Sequence, residues 1–172
     1  MLSLIAAMLA GAAQAPTADV QATNLPGLFQ ATCLDGQAKL RAGDVSPISF
    51  DQLPAGLRES LGHPASGKVW QLNAAGQSYL YMLDYNPGPG ISPKVCGVAS
   101  DSMNLKSAGD ALEARVMGSV NRNRLGSAQW LNPKDGYIAT ATTASTFKVL
   151  QINWLSDTDR AAMGAETAQL PQ

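Results

Sequence analysis

The sequence predicts an α+β domain: an antiparallel sheet of about five or six strands, with one main helix packed on it and two short helices ahead of it. Three observations carry this. Apolar residues recur at helical spacing before residue 62 and again from 107 to 117, but at alternate positions in the runs that follow residue 68. Most of those runs are joined by short connections rich in Gly, Pro, Asn and Asp, which turn each strand back antiparallel to its neighbour. The chain has 172 residues, enough for one domain with a core and too few for two comfortable ones. No internal repeat is visible.

Residues 1–15, MLSLIAAMLAGAAQA, contain no charged side chain. They are apolar, end in small residues and are too short to span a bilayer, the pattern of a secretory signal. Cleavage is expected after Ala13, giving a signal of residues 1–13. A cut after Ala15 is the alternative, disfavoured because Pro16 would follow it. Residues 14–23 read as a flexible leader, 24–162 as a single domain and 163–172 as a frayed tail. No other apolar run reaches membrane length. The mature protein is therefore expected to be periplasmic or secreted, with no stable membrane insertion. Hydrophobic residues make up 45% and the formal net charge is −1. This is globular composition, and it lacks the basic surface that a nucleic-acid partner requires.

The first short helix follows the leader. Thr23 or Asn24 can cap it, Pro26 is tolerated in its first turn, and Gly36 ends it. Leu25, Leu28, Phe29, Thr32 and Cys33 then share one stripe, which turns Cys33 inward. Residues 42–47 read as turn material. Asp51 can cap a second helix over 54–61, where Leu53, Leu57 and Leu61 recur every four residues, before Gly62-His63-Pro64 stops it. Residues 68–73 (KVWQLN) and 78–85 (SYLYMLDY) form a hairpin. In the second of these strands both faces are largely apolar, so it belongs in the interior of the sheet. NPGPG (86–90) is a loop, leading to a strand over 95–99. The main helix starts at Ser107, with Asp110 completing a capping box, and ends at Gly118. Its inner stripe is Ala108, Ala111, Leu112, Arg115 and Val116. A polar loop, Asn121-Arg122-Asn123-Arg124, precedes strands at 127–131, 137–142 and 147–155. Asp157-Thr158-Asp159 can cap a short terminal helix.

Export places both cysteines, Cys33 and Cys96, where disulfides persist. Their separation of 63 residues excludes a CxxC redox motif and favours a structural bridge. With one histidine and two cysteines, a structural zinc site is not expected. There is no phosphate-binding glycine motif either, so the expected cofactor and metal complement is none. His63 lies in a helix-stop turn without a nucleophile elbow, and no catalytic residue is assigned. The carboxylates Asp84, Asp101, Asp110 and Glu113 surround the central strand and main helix, where capping and solvation account for them more simply than acid–base catalysis. Two features remain as ligand-binding candidates. Arg115, Arg122 and Arg124 can gather near the end of the main helix and hold an anion. Tyr79, Tyr81 and Tyr85 form an aromatic row that lines a groove if nothing covers that face. These features fit a non-enzymatic binding or interaction module for an unknown protein or small ligand. A small hydrolase or an anion-binding protein is the alternative.

With its export signal, the pair Phe29-x-x-x-Cys33 and the run Val95-Cys96-Gly97-Val98, the chain resembles an uncharacterised family of small exported proteins of Gram-negative bacteria. The resemblance covers residues 25–155. It implies a periplasmic, disulfide-bearing domain and carries over no catalytic residues.

Overall fold

The structure is a computed structural model that describes residues 24–36, 40–88, 92–113, 119–122, 127–132 and 134–167. The signal and leader lie outside the described residues, as do Arg115, Val116 and Arg124. The α+β class is as expected, but among the described residues the sheet has eight strands rather than five or six. In chain order the elements are α1 (Leu25–Phe29) running into a π turn (Gln30–Leu34), β1 (Val45–Ile48), α2 (Ala55–Leu61), β2 (Ser66–Leu72), β3 (Ser78–Asp84) and β4 (Lys94–Ser100). Then come α3 (Leu105–Glu113), β5 (Ser119–Arg122), β6 (Ala128–Asn132), β7 (Tyr137–Ala144), β8 (Phe147–Trp154) and α4 (Asp157–Thr167).

The two additional strands are the edges. Residues 42–47 look like turn material because of Pro47, yet Val45 pairs with Leu72 and Ile48 with Val69. An edge strand tolerates proline because one side of its ladder is unused. Asn121 and Arg122, expected in a loop, belong to β5 at the opposite edge, where polar composition conceals a strand. α4 also runs on to Thr167, past the expected start of a frayed tail at 163.

The strand order is β1-β2-β3-β4-β8-β7-β6-β5, antiparallel throughout. It comprises two four-strand meanders joined at β4–β8, and α3 carries the chain from the centre to the far edge. One face of the sheet packs α1 and α3 around Leu28, Phe29, Val98, Leu112, Trp130 and Leu150. The other face packs α2, through Leu57 and Leu61, and Leu53 just ahead of it, on Tyr79, Tyr81 and Phe147. Alternation along β3 therefore feeds two cores, which is why both of its faces are apolar.

All five residues of the first helix's predicted stripe are buried. Asn24 is the cap, its Oδ1 accepting from the Gly27 N–H at 3.1 Å. Two other caps differ from expectation. Asp51 lies inside a 3-10 turn, where Gln52 Oε1 accepts from the Ser49 N–H at 2.8 Å. The main helix begins at Leu105 rather than Ser107, because Asn104 Oδ1 accepts from the Ser107 N–H at 3.0 Å. Asp110 is left to pair with Lys106 one turn back. The buried stripe of α3 is Ala108, Gly109 and Leu112, while Ala111 is exposed.

Gly109 gives a test of this packing. A Cβ built there would meet Trp130 Cη2 at 3.6 Å and Ala141 Cβ at 3.9 Å, ordinary contact distances. Gly109→Ala should therefore gain the helix propensity of alanine without overpacking, raising stability by about 0.5–1 kcal/mol in chemical denaturation. A loss would mean that the helix lies closer to the sheet than this.

Candidate functional site

The sheet register builds one cleft. Lys68, Met82, Cys96 and Ile152 lie in one cross-strand row on the α1/α3 face. The next row toward the sheet end is Ser66, Asp84, Lys94, Trp154 and Tyr137. The π turn ends over these rows, and there Cys33 is bridged to Cys96 with a Cα–Cα distance of 5.6 Å, in the normal range for a disulfide. Beside the bridge lies an open cleft of about 900 Å³. Residues 32–36 form one wall, the sheet supplies Lys68, Met82 and Lys94, and Trp154 closes the far side. A smaller hollow of about 340 Å³ continues past Trp154 to Tyr137 and Asp135.

The polar groups of the cleft fall into two sets. Asp84 Oδ2 accepts from Ser66 Oγ at 3.0 Å, Asp135 Oδ2 accepts from Asn132 Nδ2 at 2.9 Å, and Asp35 is engaged as well. The ammoniums of Lys68 and Lys94, both exposed, by contrast make no hydrogen bond or ion pair among the described residues. Thr32 is 8% exposed, and its hydroxyl, shielded from water, has no hydrogen-bond partner. Burying a hydroxyl without a partner costs about 1–3 kcal/mol.

The tyrosine row lies elsewhere. Tyr79 and Tyr81 are buried under α2, Tyr79 against Phe147 with ring centroids 5.9 Å apart. Tyr85 donates to the Leu61 carbonyl at 2.6 Å. The uncovered face on which a tyrosine-lined groove depended is thus occupied by a helix, and these residues belong to the core. Tyr81 crosses above Gly97 to donate to Gln151 Oε1 at 2.7 Å. A Cβ at Gly97 would collide with that phenol, so glycine is what allows the crossing. Of the arginine cluster, only Arg122 is described, in the edge strand β5; Arg115 and Arg124 lie outside the described residues.

The remaining chemical candidates are dispersed. His63 is exposed beyond Gly62, which turns at φ 71°. Asp84 ends β3 beside Lys94, whereas Asp101 follows the opposite end of β4 and accepts from the Gln77 N–H at 3.0 Å. The length of β4 puts them roughly 20 Å apart, well beyond the spacing of a working carboxylate pair. The buried serines Ser78 and Ser100 bond to each other at 2.9 Å, without a base. Among the described residues no group of histidines, cysteines and carboxylates is placed to hold a metal ion.

The buried phenols predict alkaline sensitivity. Burial raises the pKa of Tyr85 from 10.0 to about 12. It raises that of Tyr81 further, with Tyr85 adding to the effect. Below pH 10 these phenols are neutral in both folded and unfolded chains, and stability is undiminished. From pH 10 to 12 only the unfolded chain ionises them, so stability should fall. Denaturation midpoints at pH 8, 10 and 11 measure this. Tyr85→Phe should be less stable at pH 8 and lose stability less steeply above pH 10.

No protein-family model, no curated protein and no solved structure matches this chain.

Proposed function

We infer that this is an exported, non-enzymatic binding module whose ligand occupies the cleft beside the Cys33–Cys96 bridge. The observation that carries the reading is the cleft. It is concave, of a volume suited to a small organic ligand, lined by Met82 and Trp154, and bounded by a helix end bridged to the sheet. A wall fixed by a disulfide needs little ordering when a ligand enters, which favours affinity. The non-enzymatic part rests on how the reactive groups are deployed. The cysteines are bridged, the buried serines bond to one another, and His63 lies in an exposed turn. Export is supported by the signal-like N-terminus together with the disulfide. No helix among the described residues is long and apolar enough to cross a membrane.

The test is a titration of the purified mature protein with a neutral apolar fluorophore such as Nile red, followed by emission and by thermal shift. Saturable binding is expected, and Met82→Trp, which fills the cleft, should abolish it in a folded protein. Binding that survives Met82→Trp would move the site elsewhere. Ester hydrolysis lost on His63→Ala in a still-folded protein would replace this reading with a hydrolase.

A further inference from the structure

Resting on that reading, we propose that the ligand of the cleft is an anionic amphiphile. Its apolar chain lies along Leu34, Met82 and Trp154, and a carboxylate or phosphate head is held between Lys68 and Lys94.

The argument starts from what the protein leaves unpaired. The carboxylates that line the cleft, Asp35 and Asp84, are both engaged. Among the described residues, the cleft groups without partners that a ligand can reach are the two exposed lysine ammoniums; the Thr32 hydroxyl, also without a partner, is as shielded from the cleft as from water. An ammonium donates hydrogen bonds and accepts none. A ligand that pairs with both ammoniums must present acceptors, and a negative charge on it makes those bonds strongest. A ligand with donors and positive charge would leave both lysines as they are.

The placement of the lysines fits one shared head group. Both lie on the α1/α3 face, two strands apart and one row apart in the register. Sheet dimensions then separate their Cα atoms by roughly 12 Å. Lysine side chains reach about 6 Å, so their ammoniums can converge on a single group set between them. Asp84 sits between the two on β3, directly opposite Lys94. Its charge, with that of Asp35, brings the lining to formal neutrality, so an anion gains most where both ammoniums reach it at once. It also disfavours an anion that lies flat on β3, so the head belongs at the rim, with the chain running inward.

The chain follows from the rest of the lining. Leu34, Met82, Trp154 and the disulfide offer apolar surface continuous with the hollow beyond Trp154. A methionine conforms readily to a flexible alkyl chain. A small inorganic anion would leave this surface unused.

Calorimetric titrations with four twelve-carbon amphiphiles, each below its micelle concentration, test the proposal. The set is dodecanoate, dodecyl phosphate, dodecanol and dodecyltrimethylammonium. At least one of the two anions should bind about tenfold or more tighter than the alcohol, and their order tells a carboxylate head from a phosphate head. The trimethylammonium compound should bind weakest. Lys68→Gln and Lys94→Gln should each weaken the anion several-fold and the alcohol far less, and added salt should weaken the anion. Equal affinity for anion and alcohol would overturn the head-group assignment and leave the binding reading standing. So would wild-type affinity in a Lys68→Gln/Lys94→Gln double variant. No binding of any amphiphile by the folded protein would overturn both.

Discussion

Opening the Cys33–Cys96 bridge is expected to cost about 2–5 kcal/mol of stability, a large share of what a domain of this size possesses. The bridge closes a loop of 63 residues, for which the chain-entropy model gives roughly 4 kcal/mol. That loop contains β1, α2, β2, β3 and the start of β4, so one covalent tie restrains three whole strands of the sheet in the unfolded chain. The tie also acts on the folded state, because α1 and its π turn together span only residues 25–34 and would not hold a helix in isolation. Cys33→Ala/Cys96→Ala should therefore lower the denaturation midpoint, and reduction of the wild-type protein should reproduce the shift. Before reduction, a thiol-blocking reagent should add no mass, since both sulfurs are bridged. A loss below about 1 kcal/mol would mean that helix packing alone fixes this wall of the cleft.

The fold was legible in the sequence where periodicity and burial agree. The stripe from Leu25 to Cys33, the Leu53–Leu57–Leu61 repeat and the two-faced β3 are all buried on the expected sides. What escaped lies at the edges. β1 contains Pro47 and β5 contains Asn121 and Arg122, so neither carries the alternating apolar pattern of a strand with two neighbours. Only the register with β2 and β6 reveals them. The start of the main helix slipped by two residues because Asn104 and Ser107 both satisfy the chemistry of a cap, and local sequence does not rank them.

The candidate site was less legible, and for a different reason. An exported chain with two cysteines points to a Cys33–Cys96 bridge, which locates the bridge but not the space next to it. Lys68, Met82, Lys94 and Trp154 come from four strands, and their convergence depends on strand order and register. No residue among them belongs to a local motif. Thr32 stood in the inward stripe of the first helix, where its hydroxyl was the one polar group, and that was the available signal. The tyrosine row was visible in the sequence, but which face α2 would cover was not. That choice follows from long-range packing of Leu53, Leu57 and Leu61 on the sheet.

Truncating Leu112 should produce a loss of similar size in the other half of the molecule. Leu112 is fully buried where α3 lies on β7 and β8, and Leu→Ala at such sites costs about 2–5 kcal/mol according to how far the surroundings collapse. Here they are poorly able to do so. The sheet beneath offers Ala128, Ala139 and Ala141, whose side chains are too short to enter the space, and Trp130, a rigid ring that is itself fully buried. The cost should therefore fall in the upper half of that range. Trp130→Ala, which removes the larger side chain from the same layer, should cost about 3–5 kcal/mol. The double variant should lose less than the sum, because both truncations open one shared cavity. Ala111→Ser on the exposed side of the same helix is the control, expected within about 0.5 kcal/mol of the parent. If Leu112→Ala also falls within that margin in chemical denaturation, α3 does not pack on the sheet through this stripe, and the β4–α3–β5 crossover is held by other contacts.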